Sequence, residues 1–94
     1  MGLLEEGKGS GRAKQRDRLK IVEDILTAAL PRNGASKTQL VYQANLNFKR
    51  LHRYLLDLAE KGLIAAAEGS PTRYTTTEKG RDFLSHYRRA RDLL

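Results

Sequence analysis

A mostly α-helical domain closed by a small β-hairpin is the fold class this sequence predicts, and three observations predict it. Apolar residues recur at three- and four-residue spacing through most of residues 16–61, as amphipathic helices require. Two capping signals, Ser36 with Gln39 and Asn47 ahead of Phe48, divide that stretch into separate helices. After Gly62 the pattern changes to short runs flanking a Gly-Ser-Pro-Thr turn, the second of them β-branched and aromatic.

Composition bounds what such a domain can do. The 94 residues suffice for one domain with a small core that needs no covalent staple. Cysteine is absent, which excludes disulfides, zinc–thiolate sites and thiol chemistry. No run approaches the roughly 18 apolar residues of a membrane span. The amino terminus lacks the apolar core of a signal peptide, and its Met-Gly start fails the myristoylation pattern because residue 6 is Glu. A soluble, intracellular protein is expected. The net charge of +7 and a pI near 10.1 favour a polyanionic partner, with an anionic membrane surface as the rival.

Residues 1–15 contain Gly2, Gly7, Gly9 and Gly11 and little that is apolar beyond Leu3 and Leu4, so they are expected to form a flexible basic arm. Arg12, Lys14, Arg16, Arg18 and Lys20 alternate along it and into the next helix. That spacing spreads charge around a helix; it serves solubility or phosphate contact equally well. The first helix is expected from Arg16 to Leu30, with Leu19, Val22, Ile25, Leu26, Ala29 and Leu30 on its apolar side and Glu23 and Asp24 away from it. Pro31 stops it, Arg32-Asn33-Gly34 is turn chemistry, and Ala35 or Ser36 adds a bridge-like strand residue.

The central stretch, Ser36 to Lys61, predicts two helices joined by a tight turn. Ser36 and Gln39 form a capping box for the first, whose apolar side is Leu40, Val41 and Ala44. Asn45 tolerates the left-handed conformation of a sharp turn, and Leu46 plugs the space between the helices. Asn47 caps the second helix, which ends before Gly62. Phe48, Leu51, Leu55 and Leu58 form its apolar stripe, leaving Lys49, Arg50 and Arg53 on the other side with His52 at the edge. Four Lys or Arg and no acid lie between Lys37 and Arg53, which fits either a solvated face or an anion-binding one.

Leu63 to Glu68 and Arg73 to Thr76 are expected as two strands around Gly69-Ser70-Pro71-Thr72, with Arg73 near the tip. Thr77 then caps a final helix. Three helices, a two-stranded hairpin and a closing helix make the winged-helix arrangement: a three-helix core, a two-stranded wing and a C-terminal helix.

The runs Lys37-Thr38-Gln39-Leu40-Val41-Tyr42, Ala44-Asn45-Leu46-Asn47-Phe48, Tyr54-Leu55, Gly62-Leu63-Ile64, Tyr74, Thr77-Glu78-Lys79-Gly80 and Phe83-Leu84 resemble the archaeal winged-helix DNA-binding proteins, a family of small dimeric chromatin proteins and predicted transcriptional regulators. The resemblance covers about Arg18 to Tyr87. Thr76 and Ala65 to Ala67 stand where that family has larger apolar residues, which predicts a loosely packed wing. The chain stops at Leu94, short of the longer final helix of the chromatin-type members. The resemblance implies binding of double-stranded DNA with the second helix of the motif in the major groove. Asn47, Lys49, Arg50 and Arg53 then occupy the reading end and outward face, Lys37, Thr38 and Gln39 meet phosphate, and Arg73 enters the minor groove from a basic wing. Tyr42 is suited to phosphate or core, with core slightly ahead; Tyr54 is assigned to the core.

Catalysis finds no foothold in the sequence: there is no glycine-rich phosphate loop, and Asp57 and Glu60 are solvated charge on a helix. His52 and His86 lack metal-spaced partners, so neither a metal nor a cofactor is expected. A sequence-specific transcriptional regulator is the leading reading. An architectural chromatin protein with weak sequence preference, and a winged helix used for protein or RNA contact, are the alternatives. Phe83, Tyr87, Ala90 and Leu94 follow four-, three- and four-residue spacing, the seam of a short coiled coil. Residues 16–80 are thus expected as the winged helix and 81–94 as a dimerisation helix, against the alternative of a solvated tail.

Overall fold

The computed structural model describes residues 17–94. The arm 1–15 and its Arg12 and Lys14, and Arg16 at the expected start of the first helix, lie outside the described residues. Helix α1 covers 17–28, α2 Lys37–Ala44, α3 Phe48–Glu60 and α4 Glu78–Leu93; strands β1 (Ile64–Ala67) and β2 (Arg73–Thr76) stand between α3 and α4. The strands pair antiparallel with Ile64 opposite Thr76 and Ala67 opposite Arg73. A further bridge joins Ala35 to Tyr74, where each backbone N–H donates to the other's carbonyl at 2.9 and 2.8 Å. It places the start of α2 directly beside the wing.

Local chemistry sets each boundary. Ser36 Oγ accepts from the Gln39 N–H at 3.2 Å and Gln39 Oε1 from the Ser36 N–H at 2.9 Å, a complete capping box. Asn45 takes φ 55°, ending α2 in the left-handed conformation, and Leu46 is buried behind it. Asn47 Oδ1 accepts from the Arg50 N–H at 2.7 Å to open α3. At the other end Gly62 has φ +77°; its N–H donates to the Ala59 carbonyl and that of Leu63 to Leu58, closing α3 in a Schellman motif. Thr77 Oγ1 accepts from the Gly80 N–H and donates to the Gly62 carbonyl, so one hydroxyl caps α4 and ties it to the end of α3.

Ile25, Leu26 and Ala29 of the α1 segment, Leu40, Leu46, Leu51, Leu55 and Leu58 of the helical pair, Leu63 and Ile64 at the wing base and Leu84 of α4 share one core. Tyr54 packs against it partly buried, as expected. Gly80 is buried where α4 crosses the wing base: a Cβ there would collide with the Leu63 carbonyl and stand 2.6 Å from Thr76 Cγ2.

Four expectations change. The α-helix α1 ends at residue 28, not Leu30, with Ala29 and Leu30 completing the last turn through bonds to Ile25 and Thr27. Thr76 does not loosen the wing. It is 1 % exposed, its hydroxyl donates to the Leu26 carbonyl at 2.6 Å and its N–H to Ala29, so a polar residue is locked to α1 where a larger apolar one would only pack. Tyr42 is 79 % exposed, because the short α2 turns only Leu40 and Ala44 fully inward.

Glu23 is the fourth: expected away from the apolar side of α1, it is only 5 % exposed. Its carboxylate receives Arg88 Nε at 3.1 Å and Arg91 Nη1 at 2.9 and 2.8 Å, with Lys20 Nζ at 3.7 Å. Arg88 also donates to Thr27 Oγ1 at 2.8 Å. Burial pushes the Glu23 carboxyl up, but the hydrogen bonds from Arg88 and Arg91 outweigh it and hold it below its ordinary 4.5. The same pairing raises Arg91. This clamp fastens the far half of α4 to α1, so the last helix lies on its own domain well beyond Leu84.

Candidate nucleic-acid interface

Helix α3 presents two faces. At about 100° per residue, Leu51, Leu55 and Leu58 point into the core, while Lys49, Arg53 and Leu56 point away, with Phe48 and His52 on the flank between. All five of these outward residues are exposed, as is Arg50. No acid occupies the first turn. Among the described residues, the side chains of Lys49, Arg50 and Arg53 enter no ion pair and no hydrogen bond, and Lys37 is likewise unpaired. The acids of α3 lie in its second half: Asp57 pairs with Lys61 at 2.6 Å and Glu60 is exposed.

The candidate residues fall into two groups. Lys37, Thr38 and Gln39 stand at the start of α2 beside the wing; Asn47, Lys49, Arg50 and Arg53 stand at the start of α3. The side-chain oxygens of Gln39 and Asn47 are engaged in capping. That leaves their amide N–H groups as the outward donors, the polarity a phosphate accepts.

Arg73 does not reach out from the wing. Its Nε donates to the Asn33 carbonyl at 3.0 Å and its Nη2 to Gly34 at 3.2 Å, fastening β2 to the turn after α1. The loop at 68–72 contains Glu68 and no Lys or Arg, so the wing tip is not basic.

Two features went unread in the sequence. Asp17, Arg18, Arg50, Arg53 and Tyr54 line a cleft of about 570 Å³ between the start of α1 and the flank of α3, where Arg18 adds a third guanidinium beside one carboxylate. Phe48, counted in the apolar stripe, is 56 % exposed. The stripe's spacing is correct, but the first residue of α3 projects beyond the elements that bury the rest. Its place immediately after the cap was the available signal.

On the seam of α4, the rings of Phe83 and Tyr87 stack at 6.1 Å and 3° and are partly buried, and Arg91 lies over Tyr87 at 5.6 Å. Ala90 and Leu94 are exposed. No group of His and acidic residues among the described residues is placed to hold a metal ion, and no helix among them is long and apolar enough to cross a membrane.

The winged helix-turn-helix family profile matches residues 15–94. Among solved structures the chain is similar to Sso10a-2, a DNA-binding protein from Sulfolobus solfataricus, at 25 % identity and TM-score 0.69, covering 79 % of this chain and 77 % of that one. A MarR family transcriptional regulator from Silicibacter pomeroyi has the same fold at 18 % identity and TM-score 0.65, covering 97 % and 74 % of the two chains. So does a protein of unknown function from Listeria innocua, at 14 % identity and TM-score 0.64 over 89 % and 69 %. No curated protein matches the chain.

Proposed function

Because this chain belongs to the winged helix-turn-helix family, we propose that it binds double-stranded DNA through α3 and acts as a transcriptional regulator. The observation that carries the reading is the outward face of α3, where Lys49, Arg50 and Arg53 stand exposed and unpaired. A helix fits a major groove roughly 12 Å wide and touches base edges with its leading residues. Arg50 and Arg53 have the fork that pairs with guanine; Lys49, Lys37 and the amides of Gln39 and Asn47 supply phosphate contacts, with the Thr38 hydroxyl beside them. Arg73 contributes by holding the wing in register rather than by entering a groove. The similar Sso10a-2 is described as DNA-binding, which supports the same partner here.

The protein is a binding module, with no catalytic step and no cofactor, and works in the cytoplasm on the nucleoid. It pairs as a homodimer through Phe83, Tyr87, Ala90 and Leu94. The support is the seam's outward side: Ala90 and Leu94 are open to solvent while Arg88 and Arg91 hold the same helix to α1.

Titration of random-sequence duplex at two salt concentrations tests the central reading. Neutralising about four to six phosphates gives a slope of log K against log salt near −4 to −5. No binding at low salt sinks it. A regulator should lose roughly 1–3 kcal/mol per altered base pair in its site; a flat response across sequences moves the protein to the architectural class.

A further inference from the structure

Phe48 is a large aromatic side chain left in solvent at the leading end of α3. It is 56 % exposed, directly follows the Asn47 cap, and is absent from the set of partly buried residues packed against the core. A single exposed apolar residue is ordinary on a protein surface. What distinguishes this one is its company. Leu56, 60 % exposed, and His52 continue from it at four-residue spacing along the same flank of the helix. Lys49, Arg50 and Arg53 adjoin that flank and no acid lies in the first turn. An occupant that carries negative charge around an apolar group matches this surface.

A DNA major groove has that composition. Phosphates border it, and the one apolar group on a base edge is the 5-methyl of thymine. We propose that Phe48 is a specificity-determining residue that packs against a thymine methyl when α3 enters the groove. This rests on the DNA-binding reading and deepens it: the cations of α3 provide affinity and guanine contacts, and Phe48 adds a preference for thymine at a fixed step beside them.

The test compares alternating poly(dA-dT) with alternating poly(dA-dU) duplex, which differ by the 5-methyl group alone. The full chain should bind the methylated polymer about fourfold more tightly, the worth of one buried methyl group. Phe48→Ala, with its circular dichroism melt checked against the unaltered protein, should bind both polymers alike, at the strength of the dU form. Equal binding of both by the unaltered protein overturns the proposal, as does a preference that survives in Phe48→Ala. The first comparison needs no variant, so a folding defect cannot shield the idea. Binding to random duplex without any methyl preference removes the role of Phe48 alone; absence of binding to every duplex at low salt removes the DNA reading beneath it. If Phe48→Ala instead abolishes capture of an acidic protein and leaves DNA untouched, the flank is a protein-docking surface and the proposal falls.

Discussion

Helix α4 carries more cations than α3, yet it is the weaker candidate for DNA. On α4, Arg88 and Arg91 both pair with the buried Glu23, Arg81 donates to the Thr76 carbonyl at 3.4 Å and Arg89 to Ser85 Oγ at 3.3 Å. On α3, Lys49, Arg50 and Arg53 have no such partners among the described residues. The two helices spend the same residue types differently. A guanidinium facing a desolvated carboxylate contributes to holding elements together; one facing water in no ion pair keeps its field for a ligand. The net charge favours a polyanionic partner, and pairing is the reason for proposing α3 as the helix that meets it.

Removing the charges of each helix in turn tests that division, with the largest effect expected on α3. Replacing Lys49, Arg50 and Arg53 together by Ala should weaken duplex binding by about a thousandfold, roughly 4 kcal/mol. The melting temperature should stay within a few degrees, because exposed positions cost little. A folded triple variant with unaltered affinity would show that the two helices do not differ in the way described. Glu23→Gln acts on the other side. It should cost about 2 kcal/mol, less than breaking a fully buried pair because Arg88 and Arg91 are half exposed and can be solvated. A domain of this size then melts about 10 °C lower, while its α3 surface is unchanged. A melting temperature that does not move would mean the clamp is decoration.

The smallest effect is a pH dependence. The Glu23 carboxyl is held below 4.5 in the folded chain. Its contribution is therefore fully present above that value, where the unfolded chain is also ionised, and is lost as pH falls through the lower folded value. Thermal melts between roughly pH 3 and 6 should show an acid limb that is shallower in Glu23→Gln. Parallel limbs in the two proteins would assign acid sensitivity to other carboxylates.

How much of this could be read in advance differs from residue to residue. Ser36 with Gln39, Asn45, Asn47, Gly62 and Thr77 all perform the roles their chemistry suggests, since each acts on backbone groups within a few residues. The cationic face of α3 was legible for a similar reason: helical rotation alone separates Lys49 and Arg53 from Leu51 and Leu58. The burial of Glu23 was not legible because its partners lie 65 and 68 residues further along the chain. The anchoring of Arg73 could not be read because its acceptors, the carbonyls of Asn33 and Gly34, lie about forty residues back.

The sequence by itself determined the helices, their caps, the helical pair with its outward cations and the hairpin, because periodicity and capping act over one or two turns and need no tertiary partner. Only the tertiary structure decided that Thr76 locks the wing to α1, that Glu23 is buried under two arginines, that Arg73 is withdrawn from the wing and that Phe48 is left facing outward. Whether a charge is free or spent, and whether an apolar side chain is covered, depends on what the fold brings within a few ångströms. That is set by packing between elements distant in the chain, and local pattern does not encode it.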